Sequence, residues 1–312
     1  MKSLTLIIPT HNRQIYLPRS VAYYSNTDFN IIYCDSTVEA YEFSRPENIM
    51  YLHLPNFTFS QKILHVLEMV NTSFVALCAD DDFVLKSTLS EGYEIISKNS
   101  KVTTVIGNIV QFREKFDGNF FTNKLYDSIC FNSLPIKNVE RFLCDYRQIL
   151  WGVYRKEILV VSFKTLKEAK FNNDNFFELV ISVFSAYKGE IKFLNNIWSA
   201  RELSTKEHWA TRYQSLFYYK TNKYIQSDIK KFIFLIDMKT EQGIGKLAIN
   251  SYLKSSYLDK AKYFIKGMII NNLKFSNLKY LRSNKTSNYI NYNTKCEDIV
   301  QISSLLQKNK HV

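Results

Sequence analysis

Glycine is scarce in this chain: there are 8 in 312 residues, and the first is Gly92. The stretch before it therefore holds neither a GxGxxG dinucleotide turn nor a GxxxxGK(S/T) phosphate loop, and neither occurs later. A nucleotide bound here is held by something other than a glycine-rich cradle. Proline is sparse too, with none after Pro135. The five cysteines, Cys34, Cys78, Cys130, Cys144 and Cys296, form no CxxC pair, and this odd, scattered set fits a reducing cytoplasm better than a disulfide framework. No apolar run approaches the ~20 residues of a membrane-spanning helix. The run from Leu4 to Pro9 is too short for a signal-peptide core. These absences point to a cytoplasmic protein.

What is present is an ordinary folding composition, 46% hydrophobic and 22% charged, in a chain long enough for one large domain or two small ones. The charge is unevenly placed. Residues 1–202 carry 22 Lys and Arg against 22 Asp and Glu, whereas residues 203–312 carry 19 against 7, which is the whole net charge of +12. A basic block of this size suits an anionic partner, such as a membrane surface, nucleic acid or an acidic polymer; a solvated lysine-rich surface is the plain alternative.

The hydrophobic pattern of the first ~115 residues alternates strand and helix. Residues 3–9 read as a buried strand ended by Pro9, and 29–34 as a second strand ended by Asp35 and Ser36. Met50–Leu54 and Phe74–Cys78 follow as strands, and 102–106 as another. Helical spacing covers 15–25, 59–70 and 86–98. This order predicts an α/β fold with a mostly parallel central sheet and helices on both faces. Ligands of such sheets bind beyond the carboxyl ends of the strands. Thr10–Arg13, Asp35–Ser36 and Asp80–Asp82 all sit there. The middle of the chain reads as strands at 151–154 and 191–194 and a buried helix at 175–187. Helical runs then follow around 213–236, 245–256, 258–271 and 297–307. We divide the chain at residues 1–205 and a basic, mostly helical 206–312.

Asp80, Asp81 and Asp82 follow the apolar FVALC directly. Three carboxylates at a strand end repel one another and are costly without a compensating cation. A divalent ion with oxygen ligands, Mg²⁺ or Mn²⁺, is one compensator, and it would bridge the protein to phosphate oxygens. An acidic turn that caps the next helix is the other reading.

The opening LTLIIPTHNR, the strand-end Asp35-Ser36 and the stretch FVALCADDDFVLKSTL resemble the family 2 glycosyltransferases of the GT-A fold, in the branch that builds bacterial surface polysaccharides. Trp151–Arg155, Asp174–Leu179 and Arg201-Glu202 extend the resemblance over about residues 3–205. It implies transfer of a sugar from a nucleotide-sugar donor to a capsule, O-antigen or lipooligosaccharide chain, with inversion and a divalent metal. By resemblance, Pro9, Thr10, Asn12 and Arg13 hold the donor nucleotide, Asp35 reads its base or ribose, and Gln61 and Lys62 lie near the nucleotide and its phosphates. The aspartates become a DXD-type metal site in either of two registers. One sets Asp81 and Asp82 on the family's last two acids, with Ala79 where the first would be; the other is Asp80-x-Asp82. The order of preference is Asp82, then Asp80 and Asp81, and all three border the donor.

Inverting transfer also needs a base for the acceptor hydroxyl. The resemblance places an acid at the start of a helix in the second half of the domain, and Asp174 and Glu178 both qualify, one helical turn apart. Asp174 comes first for its loop-side position, with a plain N-cap as its other reading. Arg201 is a donor-phosphate contact or a surface ion pair. Trp151 and Tyr154 stack on an acceptor sugar or belong to the core. His208 is an added metal ligand or a surface histidine. Lysines interleaved with aromatics at 217–220, 230–235, 260–266 and 274–282 suggest peripheral attachment to the inner face of the cytoplasmic membrane, where a lipid-linked glycan acceptor would be met. Nucleic acid is disfavoured, since no zinc-finger, RNP or helix-turn-helix pattern accompanies them. Two other classes compete: a sugar nucleotidyltransferase, which wants a glycine- and arginine-rich first loop, and a non-catalytic glycan- or nucleic-acid-binding protein.

Overall fold

In the computed structural model, β1 (Leu4–Thr10) is buried along its whole length, with β2 (Asn30–Asp35) parallel on one side and β4 (Phe74–Leu77) parallel on the other. The structure describes residues 3–122, 129, 131, 134–203, 216, 222–255 and 296–308. Strands covered on both faces read as continuous apolar runs, which is why the sequence announced this block. β3 (Ile49–His53) extends it beyond β2. Past β4 the sheet becomes mixed. β7 (Val153–Arg155) is antiparallel to β4 and to β6 (Val102–Arg113), β8 (Glu190–Leu203) is parallel to β6, and β5 (Phe83–Val84) is antiparallel to β8. The order is β3-β2-β1-β4-β7-β6-β8-β5.

Pro9 does not end β1, which runs on to Thr10. A proline in a central strand would normally forfeit a ladder bond. Here β4 pairs with β1 only through Leu77 opposite Ile7, and Cys78 N–H closes on the Ile7 carbonyl at 3.1 Å. Pro9 faces that same side two residues later, where β4 has already ended. Its missing N–H costs nothing, and the aspartate run turns away into the room left beside it.

β6 and β8 are much longer than the sequence suggested, and their pairing carries Arg201 and Glu202 alongside Gln111 and Phe112. Register shifts around Gly107 and Asn108 break the regular alternation, which hid this length.

Helices α1 (Leu17–Tyr24), α2 (Phe59–Met69) and α3 (Lys86–Lys98) lie where the periodicity put them. α4 (Pro135–Cys144) and α5 (Lys156–Ala169) were not expected. α6 (Asn175–Lys188) is buried almost all round. α7 (Lys223–Lys239), α8 (residues 244–255) and α9 (Glu297–Lys308) add Ile225, Phe232, Ile236, Ile249, Ile299 and Ile302 to the same core cluster as the sheet. The dividing line near 205 and the helical run 258–271 lie outside the described residues.

α3 starts at Leu85 without a side-chain cap of its own. Asp298 of α9 supplies the acceptor instead, taking the Ser87 N–H at 2.9 Å, the Ser87 hydroxyl at 2.6 Å and the Tyr23 hydroxyl at 2.8 Å. Among the described residues, no helix is long and apolar enough to cross a membrane.

Candidate active site

The loops after β1, β2 and β4 leave the sheet side by side, and the end of β8 joins them because it runs the same way. The aspartate run sits at their centre, all three residues buried. Asp80 accepts the Thr10 hydroxyl at 2.7 Å and faces Arg13 Nε at 3.2 Å. Asp81 pairs with Arg13 Nη2. Asp82 turns the other way, accepting the Glu202 N–H at 2.9 Å and facing Arg201 Nε at 3.3 Å. Arg19 ties the back of the run, donating to the Asp81 carbonyl at 2.7 Å and pairing with Glu202 at 2.7 Å. The Tyr16 ring lies under both guanidiniums, 4.8 Å from Arg13 and 4.5 Å from Arg19.

Burial pushes the Asp80 carboxyl up to about 6, against the pull of Arg13. Burial raises Asp82 as well, against the pull of Arg201. Repulsion within the run is thus met by Arg13 and Arg201, which come from a loop and a distant strand. The arginine fork suits this task because several N–H groups reach different oxygens at once. The charge argument for a divalent ion therefore has a second solution in this fold. Among the described residues, no three His, Cys, Asp or Glu side chains converge as metal ligands. A Mg²⁺ that takes one or two carboxylates and completes its shell with phosphate oxygens and water needs no such trio. Asp80 and Asp82 offer hard oxygen donors, so the residues fit an ion of that kind.

Asp35 ends β2 and is fully buried. One oxygen accepts Gln14 Nε2 and the Tyr51 hydroxyl, each at 2.7 Å; the other accepts the Thr37 N–H at 2.8 Å and hydroxyl at 2.5 Å. Burial pushes this carboxyl up, but the bonds from Thr37, Gln14 and Tyr51 outweigh it and hold it below the usual range. A nucleoside read by Asp35 would displace one of these donors. Asn12 caps the same corner with a φ of 55°, its N–H on the Thr37 hydroxyl at 2.8 Å. Lys62 rises from α2 beneath the strand ends, its ammonium on the Thr10 carbonyl and 3.1 Å from the Ser36 hydroxyl. Burial lowers its proton affinity.

Pro9, Thr10, Arg13, Lys62, Arg201 and the aspartates are brought together at these strand ends. Gln61 is not: it completes the capping box of α2 with Thr58. Tyr154 is wholly buried and donates to the Ile149 carbonyl, and Trp151 is buried with its carbonyl accepting the Trp198 indole N–H at 2.8 Å. Both belong to the core and turn no open face toward an acceptor. His208 lies outside the described residues.

Glu178 joins the cluster indirectly. Its carboxylate accepts the Tyr146 hydroxyl at 2.6 Å and Gln148 Nε2, while Gln148 Oε1 accepts Arg201 Nη1 at 2.8 Å. The chain Glu178–Gln148–Arg201–Asp82 is continuous. Asp174 stands at the N-cap of α6, buried, and makes no capping bond with its side chain. Arg19, Gln148, Gln14 and Glu202 were not among the predicted site residues. Arg19 was hidden by its helix, Gln148 by the irregular stretch before β7.

The sequence profile of glycosyl transferase family 2 matches residues 5–159. No curated protein matches significantly. Among solved structures, S. aureus TarS 1–349 in complex with UDP-GlcNAc is similar, with a TM-score of 0.55 at 12% identity over 100% of this chain and 92% of that one. A second S. aureus TarS 1–349 structure gives 0.54 at 9% identity over the same shares, 100% and 92%. TarS in a longer form gives 0.51 at 11%, over 100% of this chain and 53% of that one. At these identities the likeness is one of fold. With the family's profile falling on the very strands and loops that assemble the aspartate cluster, residues 5–159 belong to glycosyl transferase family 2, and the chain is a glycosyltransferase of the GT-A fold.

Proposed function

We propose that the protein transfers one sugar, with inversion, from a nucleotide-sugar donor to a hydroxyl of a growing bacterial surface glycan of the capsule, O-antigen or lipooligosaccharide type. One observation carries the donor site. The Nη2 of Arg201 is buried beside the aspartates without a partner, across the run from Arg13, whose Nε and Nη2 are held by Asp80 and Asp81. Buried, orphaned N–H groups are costly, and two guanidiniums at strand ends suit the oxygens of a diphosphate. The UDP-GlcNAc in the TarS complex supports a donor of this class.

In the transfer, the acceptor oxygen bonds to the anomeric carbon as the carbon–oxygen bond to the donor phosphate breaks on the opposite face. The nucleotide leaves with the electron pair, and Asp174 takes the hydroxyl proton. Both Glu178 oxygens already accept donors, so a proton there would set donor against donor; its part is to hold Gln148 and, through it, Arg201. Arg13, Arg201 and Lys62 offset the charge that develops on the departing phosphate. Mg²⁺ or Mn²⁺ held by Asp82 or by Asp80 would supply further stabilisation of that charge.

Melting-temperature screens against UDP-, GDP-, dTDP- and CMP-sugars, with and without Mn²⁺, test this reading. One nucleotide class is expected to stabilise the protein, and more so with Mn²⁺. Asp82→Ala and Asp174→Ala are each expected to abolish transfer while the protein stays folded. No shift with any nucleotide would overturn the donor site.

The proposed place of work is the inner face of the cytoplasmic membrane. The outer side of α7 supports it, with Tyr224, Phe234 and Met238 exposed among Lys223 and Lys230. Co-sedimentation with anionic but not neutral liposomes, lost at high salt, is the expected result.

A further inference from the structure

α7 carries a buried carboxylate that the transfer scheme leaves unused. Asp228 has no exposed side-chain surface, and among the described residues only Lys231 approaches it as a cation, at 3.8 Å. It lies opposite the turn between α5 and α6. One of its oxygens accepts two consecutive backbone N–H groups, Asn172 at 2.7 Å and Asn173 at 2.9 Å. The other accepts Asn172 Nδ2 at 3.0 Å. Desolvating a carboxylate is expensive unless its lone pairs are met, and here the turn meets them.

The same turn is braced on both sides. Lys170 leaves α5 in a left-handed conformation, with φ 47°. The Phe171 ring stacks on Phe176 at 4.6 Å, and Phe176 packs on Phe232 of α7 at 5.6 Å. Asn173 Oδ1 accepts the Asn175 N–H at 3.1 Å. Every one of these contacts fixes the backbone that leads into Asp174. The bonds from Asp228 end on the two residues immediately before it.

We infer that Asp228 is a positioning residue for Asp174: its carboxylate holds the 170–175 turn so that the base faces the acceptor. The inference rests on the reading of Asp174 as the base. It makes α7, which the charge pattern had set apart as part of a basic tail, a working part of the site. Misplacing a reacting group by about 1 Å can cost on the order of 100-fold in rate.

The test combines Asp228→Ala, Asp228→Asn and Asp174→Asn. Hydrogen exchange needs no substrate: the 170–176 segment of Asp228→Ala is expected to lose protection while β1 and β4 keep theirs, and unchanged protection overturns the inference. Hydrolysis of the panel sugar nucleotide that is turned over fastest, with water as acceptor, gives the rates. Asp228→Ala is expected to lower kcat about 10- to 100-fold with the donor KM within about twofold. Asp228→Asn, which keeps one oxygen for the two N–H groups, is expected to recover most of the rate. The Asp174→Asn/Asp228→Ala double variant is expected to be no slower than Asp174→Asn alone, because a residue that acts only through another adds nothing once that one is gone. Additive losses, or a wild-type kcat in Asp228→Ala beside an inactive Asp174→Asn, overturn the positioning role and leave the base reading standing. Full turnover in Asp174→Asn overturns the base reading, and the positioning role with it.

Discussion

Arg201 and Asp82 meet across 119 residues of chain, Nε to Oδ2 at 3.3 Å, and the same guanidinium reaches Gln148 at 2.8 Å. A lysine at 201 cannot hold both partners, because an ammonium is a point charge without the planar fork. Arg201→Ala is expected to lower transfer by roughly 100-fold, the scale of losing one preorganised donor to developing charge. Arg201→Lys should fall between. Initial rates measured well below each variant's melting temperature check this. A lysine variant with full activity would show that the Gln148 contact is dispensable.

The pH response of the aspartate run follows from Asp80. Its folded value of about 6 lies above the ordinary 3.8. The folded state therefore holds this proton more tightly than the unfolded chain. Stability without a cation is expected to fall as pH rises from about 4 to about 6 and to level off above. A bound cation competes with that proton. The gain in melting temperature on adding Mn²⁺ is expected to be larger at pH 7.5 than at pH 5.5, measured with and without Mn²⁺ in matched ionic strength.

Asp35 behaves in the opposite sense. Its folded value is held below 3.8 by the donors around it. The stability it contributes is present above that unfolded value and is lost as pH falls through the depressed folded one. Asp35→Asn sets an amide N–H₂ against Thr37 or against Gln14 and Tyr51. A loss of about 2 kcal/mol at pH 7 is expected. The difference from the parent should shrink by pH 3, as read from urea unfolding at both pH values.

Asp298→Ala removes the acceptor that α3 lacks locally, and it strands the Tyr23 hydroxyl. A cost of about 1–2 kcal/mol is expected. Asp298→Asn, which keeps an oxygen for Ser87, should cost less. Denaturant midpoints at unchanged m-value decide it.

How far the fold was legible depended on burial pattern. β1, β2 and β4 were readable because strands covered on both faces leave unbroken apolar runs. α5 was missed because its stretch Ile158–Phe163 mixes β-branched residues into a helix that only packing against its neighbours settles. β8 was cut short because Asn195 and Asn196 interrupt the alternation at a register shift. The acids of the site were visible because strand ends are local. Of the cations, Arg13 and Arg201 were named by resemblance as donor contacts, but their pairing with the aspartates was not foreseen and Arg19 was missed, since Arg19 and Arg201 reach the run from 62 and 119 residues away. Asp228 was invisible for the same reason: no spacing rule links it to Asn172.

The capping of α3 also has a timetable. The acceptor for Ser87 lies 211 residues downstream. At a synthesis rate of about 5–20 residues per second, roughly ten to forty seconds separate the emergence of α3 from that of its partner. Throughout that interval Tyr23 and the first turn of α3, immediately after the aspartates, lack their acceptor. The corner between α1 and α3 is therefore completed only after α9 has been made.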